Sequence, residues 1–440
     1  MQSCDVLIAG AGPTGLFLAL WLTRLGVRVR VIDKVAEPGT TSRAIGVQAR
    51  TLEFYHQVGL ADEIIERGLT LGAANLWVRG RRVARIPFGD MGVGVSPYPY
   101  MLMFPQDEHE RVLIERLAAL GVTVERPTEL ASFEQRGDRI VAQLKRADGS
   151  DETCDAAYLA GCDGARSVVR EALKTGFPGG TYSHVFYVAD AVGTGPVMDH
   201  ELHIALDDAA FLGVFPMKGN GHARLIGTVK DTAADGQRPL AWSDISGSIL
   251  VRLGIEVDRV NWFSTYHVHH RVAAHFRAGR TFLLGDAAHI HSPVGGQGMN
   301  TGLGDAVNLA WKLAAVLQQR APARMLDTYE PERIAFANRL VATTDRVFQM
   351  VTSDGTTARW IRTRIVPYLM PLVFSVRAMR RFMFRAISQT AIEYRRSALS
   401  CGSAGSIKAG DRLPWVRLGE GATAADNFAP LKALDWQVHV

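Results

Sequence analysis

The stretch DVLIAGAGPTGLFLALWLTRLGVRVRVID, residues 5–33, decides the fold. Residues 6–9 form a short apolar run, and Gly10-Ala11-Gly12-Pro13-Thr14-Gly15 follows at once. Residues 16–25 then read as a helix, and VRVRVID returns as a second strand ending at Asp33. Strand, G-x-G-x-x-G turn, helix and acid-terminated strand make a βαβ unit of the dinucleotide-binding kind. Gly10 permits the tight turn, Gly12 lets a pyrophosphate approach the backbone, and Gly15 allows helix and strand to pack closely. The helix start offers free N–H groups and a positive potential to phosphate oxygens. Asp33, eighteen residues beyond Gly15, is placed to accept hydrogen bonds from ribose hydroxyls.

No second fingerprint with strand context occurs, because GDMGVGVSP and GGQGMNTG both lack the third glycine. The chain therefore carries one dinucleotide site. Its counterpart is GRTFLLGDAAHIHSPVGGQGMNTGLGDAVNLAWKLAAVL, residues 279–317. Here an apolar strand runs directly into Asp286, then into Gly295, Gly296, Gln297 and Gly298, then into a helix. A nicotinamide dehydrogenase leaves this stretch without a task. An FAD gives it one, since the ribityl chain and flavin need a second wall far from the adenine. Asp286 and the backbone N–H groups of the helix start can meet the ribityl hydroxyls and the electron-rich edge of the isoalloxazine.

Composition narrows the rest. The chain has 440 residues, 47% hydrophobic and 21% charged, with a net charge of +5. That suits a globular protein of two or three packed units and falls short of a nucleic-acid-binding composition. Cys4, Cys154, Cys162 and Cys401 show neither metal-ligand spacing nor a disulfide framework, which points to a reducing, cytoplasmic setting and to no metal. Structure begins by residue 5, so no signal peptide is expected. The apolar stretch IVPYLMPLVFSV, residues 365–376, has twelve residues and two prolines, too short for a membrane span.

Three segments taken together, GAGPTGLFLALWLTRLGVRVRVIDK, LAGCDGARSVVRE and FLLGDAAHIHSPVGGQGMNTGLGDAVNLAWKLA, resemble the class A FAD-dependent aromatic monooxygenases. These are the para-hydroxybenzoate hydroxylase-like enzymes, and within them the phenol and polyketide hydroxylase group is the nearest in pattern. The segments come in that family's order and spacing, and the resemblance covers residues 5–400. It implies that Gly10, Gly12, Pro13, Gly15, Asp33 and Lys34 bind the adenosine and pyrophosphate end of FAD. It places the family's Asp-Gly motif on Asp163 and Gly164, with Arg166, Ser167 and Arg170 completing the stretch, and its Gly-Asp motif on Gly285 and Asp286. Arg43 matches an arginine beside the flavin, and Gln106 a glutamine on the FAD backbone. Gly298, Met299 and Asn300 match residues facing the flavin ring, and Pro293 a proline at the oxygen-transfer point. Arg43 and Pro293 are thus the catalytic candidates. Asp33 is shorter than the glutamate common at its position, and Gly304 stands where a larger polar residue is usual.

The expected fold is α/β, with a discontinuous Rossmann-like FAD-binding domain (1–75, 101–182 and 268–345), a β-sheet substrate domain (76–100 and 183–267) and a C-terminal helical segment (346–400). Residues 401–440 resemble the start of a truncated thioredoxin-like domain. Phe211 and Phe215 are candidates for an aromatic wall of the substrate pocket. His203, His222, His267, His269 and His289 are weighed as phenol bases, each with an ordinary core or surface role as the default. Trp311 and Lys312 read as packing and solvent residues.

The activity implied is hydroxylation of a phenolic or polycyclic aromatic substrate. NADPH or NADH reduces FAD, and O₂ reacts to give a flavin C4a-hydroperoxide that delivers oxygen. The partners expected are therefore a phenolic small molecule and O₂, with no nucleic acid and no membrane span; a homodimer is left open. The same fold also serves halogenases, oxidative decarboxylases and non-enzymatic FAD-binding regulators.

Overall fold

The computed structural model describes residues 2–40, 44–89, 91–206, 211–229, 240–245, 247–292, 294–352, 355, 360–419 and 425–439. Its first sheet has the order Arg277–Ala278, Thr281–Leu283, Asp151–Gly161, Gln2–Ala9, Val29–Ile32, Val124–Glu125. All but Arg277–Ala278 run parallel. Strand Asp151–Gly161 also pairs antiparallel with Arg139–Arg146, which pairs in turn with Thr128–Arg136. Val6, Leu7 and Ile8 are fully buried, as a parallel strand covered on both faces requires.

Helix Pro13–Arg24 lies against the first sheet, and helix Gly298–Leu317 packs against that helix. The contact is close because Gly302 of the later helix meets Thr14, and Gly285, in the turn before that helix, meets the same threonine. A Cβ on Gly285 would stand 2.7 Å from Thr14 Oγ1, and one on Gly302 would stand 2.3 Å from it. The apolar stripe of the later helix (Ala306, Leu309, Ala310 and Leu313) is wholly buried. Lys312 is a correction. It is buried, not solvated, and its Nζ donates to Glu332 Oε2 (2.7 Å) and Asn308 Oδ1 (2.9 Å). Burial pulls its pKa down to about 8, against the pull of Glu332. Trp311 packs edge-on against Trp436.

The second sheet has the order His289–Ile290, Glu256–Val272, Gly179–Thr194, His222–Val229, Phe211–Pro216, Leu202–Leu206, Ala73–Val78, Arg81–Pro87. Its strands alternate between faces, interrupted by register shifts where Gly179–Thr194 pairs with Glu256–Val272. Tyr187, Ala189, Leu212, Val214 and Leu225 bury one face under the short helix Gly247–Arg252. The other face carries Phe186, Val188, Phe211, Phe215, Ile226, Trp262 and Tyr266. Phe215 also joins Ile45 and Met103 in a further apolar cluster, so this face meets the small separate sheet of Gly46–Val47, Leu102–Met103 and Leu69–Thr70. Beyond residue 400 the chain forms two short hairpins, Ser403–Ala404 with Ile407–Lys408 and Arg417–Leu418 with Ala425–Asp426. This tail is tied to helix Ala49–Gln57 through Arg412 and Glu53.

The second sheet carries a buried ionic cluster. Asp190 accepts from His222 Nε2 (2.7 Å), Asn261 Nδ2 (2.7 Å) and Arg224 Nη2 (3.0 Å). Burial opposes the carboxylate, but these three donors outweigh it and hold Asp190 down to about 2. Its hydrogen bond in turn raises the His222 pKa above 6.5, against a smaller opposing effect of burial. Stability from a raised histidine is full below its unfolded pKa and is lost as pH rises through the folded value. We therefore expect urea unfolding to show wild-type stability falling between pH 6 and 8.5 (roughly the histidine range) more steeply than in His222→Gln. Parallel slopes would mean that the pair contributes nothing.

Candidate active site

Three motifs converge on one edge. Ala9 pairs with Ile32 on one side and Gly161 on the other, and Gly161 pairs with Leu283. The carboxyl ends of these strands therefore place the turn starting at Gly10, Asp33, the Asp163-Gly164 pair and the Gly285-Asp286 pair side by side. In an open parallel sheet this is where ligands bind.

The glycines of the first turn divide by what surrounds them. Gly10 has φ +104°, and a Cβ there would stand 2.3 Å from the Cys162 carbonyl oxygen. A Cβ on Gly15 would stand 2.0 Å from the Gly10 carbonyl oxygen. Both are glycine because the protein packs against them. Gly12 has ordinary backbone angles and no atom within 4 Å of its would-be Cβ. No packing demands a glycine at that position; the space in front of it is open for a ligand. Gly12 also caps helix Pro13–Arg24 without any side-chain hydrogen bond, which leaves first-turn N–H groups facing that space. The surroundings fit a pyrophosphate.

Around this turn, some predicted ligands are already engaged with the protein. Asp33 accepts from Ala11 N (2.7 Å) and Val35 N (2.8 Å), and Arg126 Nη1 lies 3.3 Å from it. Arg126 also donates to the Ala11 and Val35 carbonyls, a brace that sequence reading missed because Arg126 lies far along the chain. Lys34 is exposed. Gln106 opens helix Gln106–Ala119, and its Nε2 donates to Glu110 Oε1 (2.9 Å). Asp163 turns inward, accepting from Ser167 Oγ (2.6 Å) and Val169 N (3.2 Å), while Gly164 takes φ +78° in open space. Arg170 ties this segment to the next motif by donating to the Ala165 and Ala287 carbonyls.

Asp286 is exposed between buried Gly285 and Ala287, which aims its carboxylate away from the core. The core behind it is polar. Asp305 is fully buried and accepts from Gly285 N (3.0 Å), His289 Nε2 (2.7 Å) and Arg333 Nε (2.5 Å). Burial disfavours the Asp305 carboxylate, but Arg333 and His289 hold its pKa down. Arg333 continues to the Thr301 carbonyl (3.1 Å) and the Tyr394 hydroxyl (2.7 Å). A Cβ on Gly304 would stand 3.2 Å from Arg333 Nη2, which explains the small residue at that position.

The glycine-rich loop is fixed by Asn300. Its Oδ1 accepts from Gln48 N (2.9 Å) and Thr51 Oγ1 (2.8 Å), and its Nδ2 donates to the Gly46 (2.9 Å) and Gly296 (2.8 Å) carbonyls. Gln48 returns a bond to the Gly295 carbonyl (2.9 Å). The Asn300 side chain is fully used, so only its backbone can face a ligand. Gly295 (φ +77°) and Gly296 (φ +60°) bend the loop in the left-handed region. Helix Gly298–Leu317 begins without a side-chain cap, and Met299 in its first turn is partly buried. His291 covers this start, its Nε2 3.7 Å from a would-be Cβ on Gly298, and burial lowers its pKa to about 4. Arg43 and Pro293, the two catalytic candidates, lie outside the described residues.

Of the weighed histidines, His203 bonds Trp77 Nε1 (2.9 Å) and Asp199 (2.8 Å), and His269 bonds Thr181 (2.7 Å). Phe211 and Phe215 lie half-buried on the sheet face described above. A separate hollow of about 550 Å³, lined by Tyr158, Arg280 and Arg320 among others, contains none of the candidate ligand residues.

The family model described as "FAD binding domain" matches residues 3–344. The chain is 39% identical over 412 residues to 6-methylpretetramide 4-monooxygenase of Streptomyces rimosus, covering 91% of this chain and 71% of that one. It is 32% identical to pentachlorophenol 4-monooxygenase of Sphingobium chlorophenolicum, covering 80% and 66%. The structure superposes on the anhydrotetracycline hydroxylase OxyS of Streptomyces rimosus with a TM-score of 0.77 at 30% identity, covering 98% and 84%. The chain belongs to this family of FAD-binding proteins, as an FAD-dependent aromatic monooxygenase.

The contrast among the turn glycines is testable. Gly15→Ala should lower stability by about 1–3 kcal/mol, because a packed backbone must move. Gly12→Ala should change it by no more than about 1 kcal/mol, yet weaken FAD at least roughly tenfold. Thermal melts of the FAD-free protein and fluorescence titration with FAD separate the two effects.

Proposed function

We propose that the chain hydroxylates a fused polycyclic phenol at the expense of NADPH or NADH, in a pocket between the motif edge and the aromatic face of the second sheet. The observation that carries this reading is the convergence of three motifs, more than a hundred residues apart from one to the next, on one sheet edge, in a chain whose second sheet carries an aromatic face. The enzymes it resembles act, by their names, on 6-methylpretetramide and on pentachlorophenol.

Bound FAD supplies electron transfer and dioxygen activation; the chain's own residues bind, orient and exclude water. Gly12 and the start of helix Pro13–Arg24 hold the pyrophosphate, with Asp33 at the ribose and Gln106 along the cofactor backbone. Asp286 takes the ribityl hydroxyls. The backbone of Gly298, Met299 and Asn300 faces the ring, where an uncapped helix start favours developing negative charge. Phe211 and Phe215 stack over the aromatic substrate as an apolar lid of fixed position. Arg43 beside the flavin and Pro293 at the oxygen-transfer point are assigned by their motifs alone. With one dinucleotide fingerprint in the chain, the nicotinamide cofactor visits rather than resides.

Two measurements test the reading. Asp286→Ala should weaken FAD by about 1–3 kcal/mol, the cost of leaving a ribityl hydroxyl without its partner; an unchanged affinity would remove Asp286 from the ribityl site. A screen of phenols should find polycyclic compounds that accelerate anaerobic flavin reduction at least roughly tenfold, about 1.4 kcal/mol of barrier. Acceleration by single-ring phenols alone would overturn the polycyclic assignment.

A further inference from the structure

Residues 360–385 form a surface that the proposed chemistry does not use. Helix Val366–Ser375 continues directly from a turn of π-helix, Ile361–Ile365, and is followed by helix Arg377–Ile387. Ile361, Ile365, Tyr368, Leu369, Leu372 and Val376 recur at helical spacing along one outward stripe, and all are exposed. Leu372 is 66% exposed and Tyr368 79%, values ordinary for a lysine and costly for an apolar or aromatic side chain. Trp360 at one end (57%) and Phe382 at the other (65%) extend the patch. The inward side of the same helix is also apolar, with Val373 and Phe374 half-buried. A surface helix of a globular protein is apolar on one side only; this one is apolar on two.

Charge identifies what covers the outward side. Between Asp354 and Glu393 the sequence has seven arginines (359, 362, 364, 377, 380, 381 and 385) and no acidic residue. Arg364, Arg377, Arg381 and Arg385 are exposed around the apolar stripe. The helix packs on edge strand Arg81–Pro87, where Arg81 and Arg82 are also exposed. A second copy docking through the same patch would bring arginines against arginines. An anionic bilayer surface offers the opposite charge to the rim and a hydrocarbon boundary to the centre. Among the described residues no helix is long and apolar enough to cross a membrane. A ten-residue helix lying in the interface needs no such length.

We infer that the face formed by residues 360–385 docks on an anionic lipid bilayer, with Tyr368, Leu369, Leu372 and Phe382 inserted among the acyl chains and the arginines at the headgroups. Docking in this pose seats the edge of the second sheet against the membrane.

Co-sedimentation of the full chain with vesicles tests this. Vesicles of phosphatidylcholine with about 30 mol% phosphatidylglycerol, whose negative surface potential attracts basic clusters, should bind at least about tenfold more protein than phosphatidylcholine alone. Raising salt to about 0.5 M should release it. Leu372→Glu with Phe382→Glu should abolish binding, as should Arg377→Gln with Arg381→Gln, each with the thermal midpoint of the wild type. The second pair keeps the apolar stripe intact and guards against a misfolded first pair. Equal binding to both vesicle types, or undiminished binding by folded variants, overturns the inference. So does a patch-dependent dimer in sedimentation equilibrium without lipid, which would assign the face to a second copy.

Discussion

The buried Asp305 carboxylate holds the site together. It sits on helix Gly298–Leu317 and grips three pieces of chain at once: the Gly285 amide at the end of the last parallel strand, His289 in the second sheet, and Arg333 on the long helix Tyr329–Thr352. A desolvated charge with two cationic or polar partners and an amide is stable only while all are in place. Removing one leaves another uncompensated in the core, so the unit behaves as all or none. It fixes the height at which Asp286 leaves the strand and the position at which the glycine-rich loop begins. Asn300 performs the neighbouring task with neutral groups, bonding Gly46, Gln48 and Thr51 on one side and the Gly296 carbonyl on the other.

Much of the fold was legible in the sequence, for a physical reason. A strand buried on both faces must be a continuous apolar run, and a βαβ turn must have glycine where backbone meets backbone, so residues 5–33 announce their own structure. The hairpin Ala73–Val78 with Arg81–Pro87 and the strands from Gly179 to Val229 follow from alternation and turn residues in the same way. These are local rules, and the sequence is local information.

What stayed hidden was the support of the site. Arg333 lies in PERIAF, where it looks like any arginine in the first turns of a helix, yet it is fully buried against an acid 28 residues earlier. Arg126 bracing Asp33, and Gln48 bracing Gly295, are likewise pairs whose members carry no mark until the chain is folded. Lys312 was misread because helical spacing places it beside a core stripe without saying whether Glu332 stands opposite. Asp163 was read as a cofactor ligand from its motif; that its carboxylate also accepts from Ser167 and Val169 of the short helix behind it carried no mark before folding.

The order of strands in the first sheet has a consequence for synthesis. The strand next to Gln2–Ala9 on one side is complete by residue 32, but its neighbour on the other side ends at Gly161, and the next beyond that at Leu283. A chain emerging from the ribosome therefore carries its phosphate turn long before it can close the wall opposite. Such distant pairings form slowly and leave strand edges unpaired meanwhile. Cofactor capture becomes a late event, after some three hundred residues have been made, and the nascent half-sheet is the form most in need of a chaperone.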